Sequence, residues 1–194
     1  SKEECKQIIG IKPHETTVFY AGSIKKIKGS TFLIESLIKL GVEFYEKHHI
    51  KAILVGDGEL HQNLKNKVKK AGYEEYIQLP GRKERDEIPV FMKASDIFIN
   101  ASWYEGTPLT IIEALNNNLL VISANVPGIS EVITHGKTGL LYQKEDYEDF
   151  KQNLLFALEN EEKIKKIVQN AFEDVKIKYR FDFNMSQHLN LINT

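Results

Sequence analysis

Six short apolar runs, each followed by a turn and then by a longer segment of helical period, limit this chain more than any other feature. The runs are "TVFYAG" (17–22), "KAILVG" (51–56), "YIQLPG" (76–81), "DIFIN" (96–100), "LLVISA" (119–124) and, more weakly, "GLLY" (139–142). Several are apolar at every position rather than at alternate ones, the pattern of strands covered on both faces. Three end in Gly, where a chain leaving a sheet turns sharply. Between them lie four helix candidates: Ser30 to about Lys47, Glu59 to Ala71 with Gly72 as its stop, Arg85 to Ala94, and Pro108 to Asn117. In the last of these Thr107 is placed to cap, Pro takes the first helical position and Asn118 the left-handed stop. Strands alternating with helices predict an α/β fold: a doubly wound parallel sheet, Rossmann-like, whose ligands bind outside the carboxyl ends of the strands. Beyond Gln143 the character becomes helical. Tyr147, Phe150, Leu154 and Leu158 form one stripe, and Ile164, Ile167, Ala171 and Val175 another; "RFDFNMSQHLNLI" predicts a last short helix capped by Asp182. The reading is therefore a single domain, 1–194, with C-terminal helices.

Composition narrows the function classes. With 194 residues, 42% of them hydrophobic, the chain can bury a sizeable core. A net charge of −1 gives no footprint for nucleic acid. The single cysteine, Cys5, excludes a disulfide framework and a cysteine-based metal site, and fits a reducing compartment. No apolar run reaches membrane-spanning length and no signal peptide stands at the start, so the expected location is cytoplasmic.

The candidate chemistry sits on the strand-to-helix turns. In "AGSIKKIKGST" (21–31) a strand ends at Gly22, and a helix begins near Gly29 or Ser30 with Lys28 just before it. Free amides at a helix start attract anions, and an adjacent lysine adds a mobile full charge, a pairing that suits phosphate. Taken alone, solvated loop lysines explain this turn better. In "VGDGEL" (55–60), Gly56 and Gly58 permit a close backbone approach to a ligand, but His61 stands where the dinucleotide pattern wants a third Gly. In "LPGRKERDEIP" (79–89), Gly81 is followed by Arg82 and Lys83, either one wall of a base pocket or a charged loop.

The fourth turn belongs to "FINASWYEGTPLTIIEAL" (98–115), where Glu105 and Glu113 flank a Gly106–Thr107–Pro108 turn. With Pro108 first in the helix, the amides of Leu109 and Thr110 are expected to be free for an anion. Thr110, Glu113 and Asn117 share one face at i, i+3, i+7, a polar stripe on an otherwise apolar helix. Were the helix continuous back to Glu105, the two acids would lie about 12 Å apart along the axis and roughly 80° apart around it. They would thus reach different parts of one long ligand, and carboxylates suit the paired hydroxyls of ribose or hexose. A plain solvent face explains the stripe alone equally well.

Together these segments resemble a known family. "EGTPLTIIEAL" is similar to the E-x7-E motif of retaining glycosyltransferases with the GT-B fold, the large family that includes relatives of sucrose and glycogen synthase. "VPGISEVITHGKTGLLY" resembles that family's Gly-x-x-Glu-Val-Ile…Gly-x-Thr-Gly-Leu-Leu stretch, and "FYAGSIKKIKG" and "ILVGDGEL" fall in the expected order and spacing. The resemblance spans nearly the whole chain. It implies the donor-binding, C-terminal half of such an enzyme, without the N-terminal acceptor domain, through which any membrane contact at an inner face would come. By position it implies that Glu105 meets donor-sugar hydroxyls and Glu113 the ribose diol. Lys28 would hold the diphosphate with amides around Gly106, Leu109 and Thr110; the loop from Gly81 through Arg82 would face the base; Gly22, Ser23, Gly56 and Gly58 would line the groove. Glu105 and Lys28 are the expected catalytic pair. The expected partner is a nucleotide-diphosphate sugar, with UDP as the base the family favours, used in glycan or cell-surface polysaccharide synthesis. No metal and no cofactor are expected, and no Asp-x-Asp pair is present.

Three positions depart from the family pattern. Ser23 stands where Arg is common, so Lys25 or Lys26 is the expected substitute cation. Asn118-Leu119-Leu120-Val121 replaces Gly-x-Pro-Val, and Pro127 takes the first place of a Gly-Gly pair, leaving Gly128. A nucleotide-sugar epimerase on the same architecture and a non-catalytic nucleotide- or partner-binding module are the alternatives. A dinucleotide oxidoreductase fits least, for want of the third Gly.

Overall fold

The computed structural model describes residues 1–179. The predicted helix around Asp182 lies outside them. Six parallel strands run in the order β3-β2-β1-β4-β5-β6, with β1 Thr16–Ala21, β2 Ile50–Val55, β3 Ile77–Gly81, β4 Ile97–Asn100, β5 Leu120–Ala124 and β6 Leu140–Tyr142. All six expected strands form. The continuous apolar runs have their predicted cause: every residue of β4 and β5 is buried, as helices cover both faces of the sheet.

The order fixes the position of the site. From β1 the chain winds outward through β2 to β3, then returns to lay β4 beside β1, with Val18 opposite Ile97 and Phe19 opposite Phe98. From β4 it winds the other way to β5 and β6. The connections after β1 and β4 therefore leave adjacent strands in opposite directions and open a crevice at the carboxyl edge.

The helices depart from expectation in instructive ways. The expected segment from Ser30 to Lys47 is two helices, α2 (Ser30–Lys39) and α3 (Val42–His48), because Gly41 between them takes φ 86°, ψ 151°. Leu40 is buried at the break, so the apolar period runs on although the helix does not. An unforeseen helix, α1 (Lys2–Ile8), opens the chain with a reciprocal capping box between Ser1 and Glu4. It is tied down through Lys6, whose buried ammonium lies 3.3 Å from Asp96 Oδ2, while Asp96 also accepts from the Thr17 amide at 2.8 Å. The remaining helices are α4 (His61–Ala71), α5 (Ile88–Ala94), α6 (Leu109–Asn116), α7 (Tyr147–Glu159) and α8 (Glu161–Lys178). Gly72 and Asn118 both take the left-handed conformation, at φ 78° and 57°, as predicted for helix stops. Both C-terminal stripes are used: Phe150 and Leu154 of α7 and Ile167, Ala171 and Val175 of α8 are buried.

One core contact bears on the site. Tyr142 on β6 packs against Phe150 and Phe32, with ring centroids 5.4 and 6.0 Å away, and its hydroxyl donates to the Asn100 carbonyl at 3.1 Å. It thereby braces the end of β4, where the site begins. Burial pushes the phenol far above its ordinary pKa, so the hydroxyl remains a donor. Tyr142→Phe keeps the packing and deletes this bond. It should lower unfolding stability in urea by about 0.5–1.5 kcal/mol, with no loss of cooperativity.

Candidate functional site

The loops after β1, β2, β3 and β4 enclose one cleft with two connected compartments. The larger, about 620 Å3, is walled on one side by the backbone at Gly22 and Ser23 and on the other by Arg82, Lys83 and Arg85. Thr110, Glu113 and Asn117 all line it from α6, the last two still open to solvent, so the polar stripe forms one wall of the cleft. Ile88, Pro89 and Met92 give it an apolar end. The smaller compartment, about 240 Å3, shares Gly22, Ser23 and Thr110 with the larger and adds Tyr20, Lys28, Ser102, Glu105, Thr107 and Leu109.

The floor of the smaller compartment is a short charged cluster. Lys28 and Glu105 are 77 residues apart in sequence, yet Lys28 Nζ lies 2.7 Å from Glu105 Oε1. The same oxygen accepts from Ser102 Oγ at 2.6 Å. Ser102 is almost fully buried, and its own amide donates to Asn100 Oδ1 at 2.7 Å. Tyr20 donates to the Ser23 carbonyl at 2.9 Å. Burial, with a smaller push from the Glu105 charge and a smaller opposing effect from Ser30, raises its pKa to about 12. Tyr20 therefore stays neutral and pins the backbone that both compartments share.

Glu113 is placed differently. Desolvation by its surroundings raises its carboxyl above the ordinary glutamate value, and the Arg85 guanidinium opposes that shift. No hydrogen bond of its carboxylate is found among the described residues, so it lines the larger compartment with its acceptor capacity unused.

The close packing of these loops rests on glycine contacts. A Cβ on Gly128, whose φ is +83°, would lie 2.0 Å from the Glu105 carbonyl. The glycine that remains beside Pro127 is thus the one on which the Glu105 loop rests. A Cβ on Gly56 would lie 1.8 Å from the Gly22 carbonyl, and one on Gly58 would lie 2.6 Å from the Ile24 carbonyl. These two glycines were expected to admit a ligand; what they admit is the neighbouring loop, although Gly56 does line the larger compartment.

Of the expected site residues, Gly22, Ser23, Lys28, Gly56, Arg82, Glu105, Thr107, Leu109, Thr110 and Glu113 line the cleft. Gly58, Gly81 and Gly106 do not. Gly81 instead accepts from the Gly56 amide at 3.0 Å, and Gly106 faces open space. Several further expectations are corrected. Pro108 has ψ 67° and precedes the helix rather than starting it, Thr107 makes no side-chain cap, and the Leu109 amide is spent on the Thr107 carbonyl at 2.9 Å. Leu109 thus offers its exposed side chain to the rim, and Thr110 is left as the helix-start amide without an acceptor among the described residues. Because α6 begins at Leu109, Glu105 lies on a loop, and the continuous-helix spacing of the two acids does not apply. The start of α2 is buried at Ser30 and lines neither compartment, so that helix reaches the cleft through Lys28. Lys25 and Lys26 also stay outside; Lys26 lies over the Trp103 ring, 5.8 Å from its centroid. The additional cations in the larger compartment are Lys83 and Arg85, which composition alone did not distinguish from a charged loop.

This geometry has close parallels. The family model for glycosyl transferases group 1 matches residues 1–174. The chain belongs to this family. An uncharacterized glycosyltransferase of Methanocaldococcus jannaschii is 30% identical over 154 residues, covering 79% of this chain and 41% of that protein. The N-acetyl-alpha-D-glucosaminyl L-malate synthase of Bacillus anthracis is 26% identical over 185 residues, 95% of this chain and 47% of that protein. The chain thus spans less than half the length of these curated relatives. Among solved structures, the C-terminal domain of a glycosyl transferase group 1 family protein (LpcC) from Francisella tularensis superposes with a TM-score of 0.79 at 26% identity, covering 92% of this chain and 93% of that one. Anabaena HepE in complex with UDP and glucose superposes with a TM-score of 0.82 at 21% identity, covering 97% of this chain and 51% of that one. The fold is therefore that of one GT-B glycosyltransferase domain. Among the described residues no helix is long and apolar enough to cross a membrane.

Two outcomes follow from this geometry. Gly128→Ala should displace the Glu105 loop, seen as amide shift changes centred on residues 100–110 with a loss of melting temperature. For Glu113, the folded pKa is raised, so the folded domain holds a proton where the unfolded chain has released it. This group's contribution to stability therefore falls as pH rises through the interval above the ordinary glutamate value. Glu113→Gln should raise the melting temperature of the unliganded domain at pH 7, and the gain should shrink to nothing below about pH 4.

Proposed function

We propose that this domain holds the donor of a glycosyltransferase: a nucleoside-diphosphate hexose, with UDP as the nucleotide, for transfer to an acceptor hydroxyl with retained anomeric configuration. The observation that carries the reading is the meeting of Lys28 and Glu105 in the small compartment, continuous through Ser23 and Thr110 with the larger one. A cation beside an acceptor-rich carboxylate suits a diphosphate joined to a polyol. The larger compartment has the size and lining for a nucleoside, with Glu113 facing a ribose diol and Arg82 and Arg85 near the base or phosphates. Membership of the family and the fold shared with HepE, whose structure holds UDP and glucose, support the same assignment.

In this reading the anomeric carbon–oxygen bond to the diphosphate breaks and a bond from the acceptor oxygen forms on the same face. The acceptor's proton passes to the departing phosphate oxygen. The protein's part is to stabilise charge growing on that diphosphate, through Lys28 and the amide of Thr110 at the start of α6. Glu105 orients the sugar and is not assigned as a nucleophile. The acceptor belongs to another part of the full protein, as this chain is half the length of its relatives or less. Glycan or cell-surface polysaccharide synthesis is the setting we assign.

The test is titration calorimetry of the domain with UDP, GDP, UDP-sugars and NAD. UDP and its sugars should bind and NAD should not; preference for NAD would end the reading. Glu113→Ala should weaken UDP by about tenfold or more, as hydrogen bonds to a charged group are worth roughly 1.5–3 kcal/mol each. The domain alone should turn over no acceptor.

A further inference from the structure

Glu105 Oε1 is shared. Lys28 Nζ reaches it at 2.7 Å and Ser102 Oγ at 2.6 Å, so in the unliganded cleft the sugar-facing acid and the phosphate-facing cation neutralise each other. The two partners differ in freedom. Lys28 stands on a short 3-10 turn (Lys26–Lys28) at the cleft rim, its side chain 32% exposed on a flexible stem. Ser102 is 1% exposed, has one rotatable hydroxyl, and is anchored through its amide to Asn100 Oδ1. Asn100 is in turn held through its carbonyl by Tyr142 from the core. One partner can leave; the other cannot.

A diphosphate entering this compartment competes for Lys28. Its phosphate oxygens offer more charge than one carboxylate, and the Lys28 stem, about a third exposed, leaves the ammonium free to follow them. Glu105 then loses its counter-ion at the moment it must point at sugar hydroxyls. An acid freed in this way would swing toward solvent unless something else fixed it. We propose that Ser102 is a positioning residue, the hydroxyl that keeps the Glu105 carboxylate in the sugar subsite after Lys28 has moved to the diphosphate. Ser102 touches neither phosphate nor sugar in this scheme and acts through Glu105. The inference rests on the nucleotide-sugar reading above.

The predicted signature lies in discrimination between a nucleotide-sugar and its bare nucleotide, which a merely structural serine would not move. The measurement is calorimetry of the domain with UDP and with UDP-glucose, UDP-galactose and UDP-N-acetylglucosamine. The wild type should bind one of the sugars more tightly than UDP. Ser102→Ala should lower that preference by about tenfold, the effect of one hydrogen bond to a charged acceptor, and leave UDP within twofold. Lys28→Met should weaken UDP and the UDP-sugar alike and keep their ratio, because Ser102 still holds the acid. Lys28→Met with Ser102→Ala should lose the ratio as well. The double variant is read against Lys28→Met, so a change in overall affinity does not obscure the result. Equal weakening of UDP and UDP-sugar in Ser102→Ala, with a lowered melting temperature, would make the serine structural and overturn the proposal. So would an unchanged ratio, or a wild type that binds UDP but prefers none of its sugars, an outcome that leaves nucleotide binding standing. A wild type that binds no nucleotide removes the donor reading itself and this inference with it.

Discussion

The return of the chain from β3 to β4, alongside β1, is the constraint on which everything else depends. It makes neighbours of two loops that the sequence keeps far apart, and it sends their helices to opposite faces of the sheet. A parallel sheet wound in one direction only would leave Lys28 and Glu105 on separate connections with two strands between them. With the reversal, β1 and β4 end side by side, and the residues just beyond them face each other across a gap a few ångströms wide. The reversal is itself a product of apolar burial. Strands that are apolar on both faces must be covered on both faces, and helices returning on both sides of the sheet supply that cover.

The gap is then closed by backbone. Side chains set the chemistry of the cleft, but the distances between its loops are set where no side chain stands: Gly29 against the Ala101 carbonyl across the gap, Gly56 against the Gly22 carbonyl and Gly128 against the Glu105 carbonyl. A methyl group at any of these would have to displace main chain, and main chain at the ends of buried strands has little room to move. Four loops, after β1, β2, β4 and β5, are thereby packed against one another before any ligand arrives. That rigidity is the basis of preorganised electrostatics, since groups already in place cost nothing to orient when charge develops.

Much of the architecture was legible in the residues. Continuous apolar runs gave all six strands, and left-handed stops at Gly72 and Asn118 gave helix ends. The failures have local causes. Gly41 sits where the apolar period continues through Leu40, so the pattern read as one helix although the backbone breaks. The capping box of α1 is a true sequence signal, S-x-x-E, but it precedes a short helix with few apolar residues, and periodicity carried no weight there. At the site, the spacing of Glu105 and Glu113 and the resemblance of their surroundings selected loops that the fold brings to one cleft. What failed was the inventory of free amides. Whether Leu109 N–H is available depends on the ψ of Pro108, which no residue type dictates. Ser102 escaped notice because a serine in a loop is ordinary; only the fold shows that its hydroxyl is buried and aimed at Glu105.

The two acids show how one helix and the loop before it can serve opposite demands. Glu105 is compensated twice at one oxygen in the empty cleft, by a mobile lysine and an anchored serine. Glu113 stands on the wall of the open cleft, where desolvation disfavours its charge and the Arg85 guanidinium opposes that shift. The first arrangement favours geometry, and the second stores unsatisfied acceptor capacity. On the proposed reading, a diphosphate with a sugar at one end and a ribose at the other would reverse both conditions at once. It would draw Lys28 away from Glu105 and supply donors to Glu113. On that reading the empty domain disfavours charge at Glu113, where the ribose would supply donors, and holds Glu105 between Lys28 and Ser102, where the sugar would meet it.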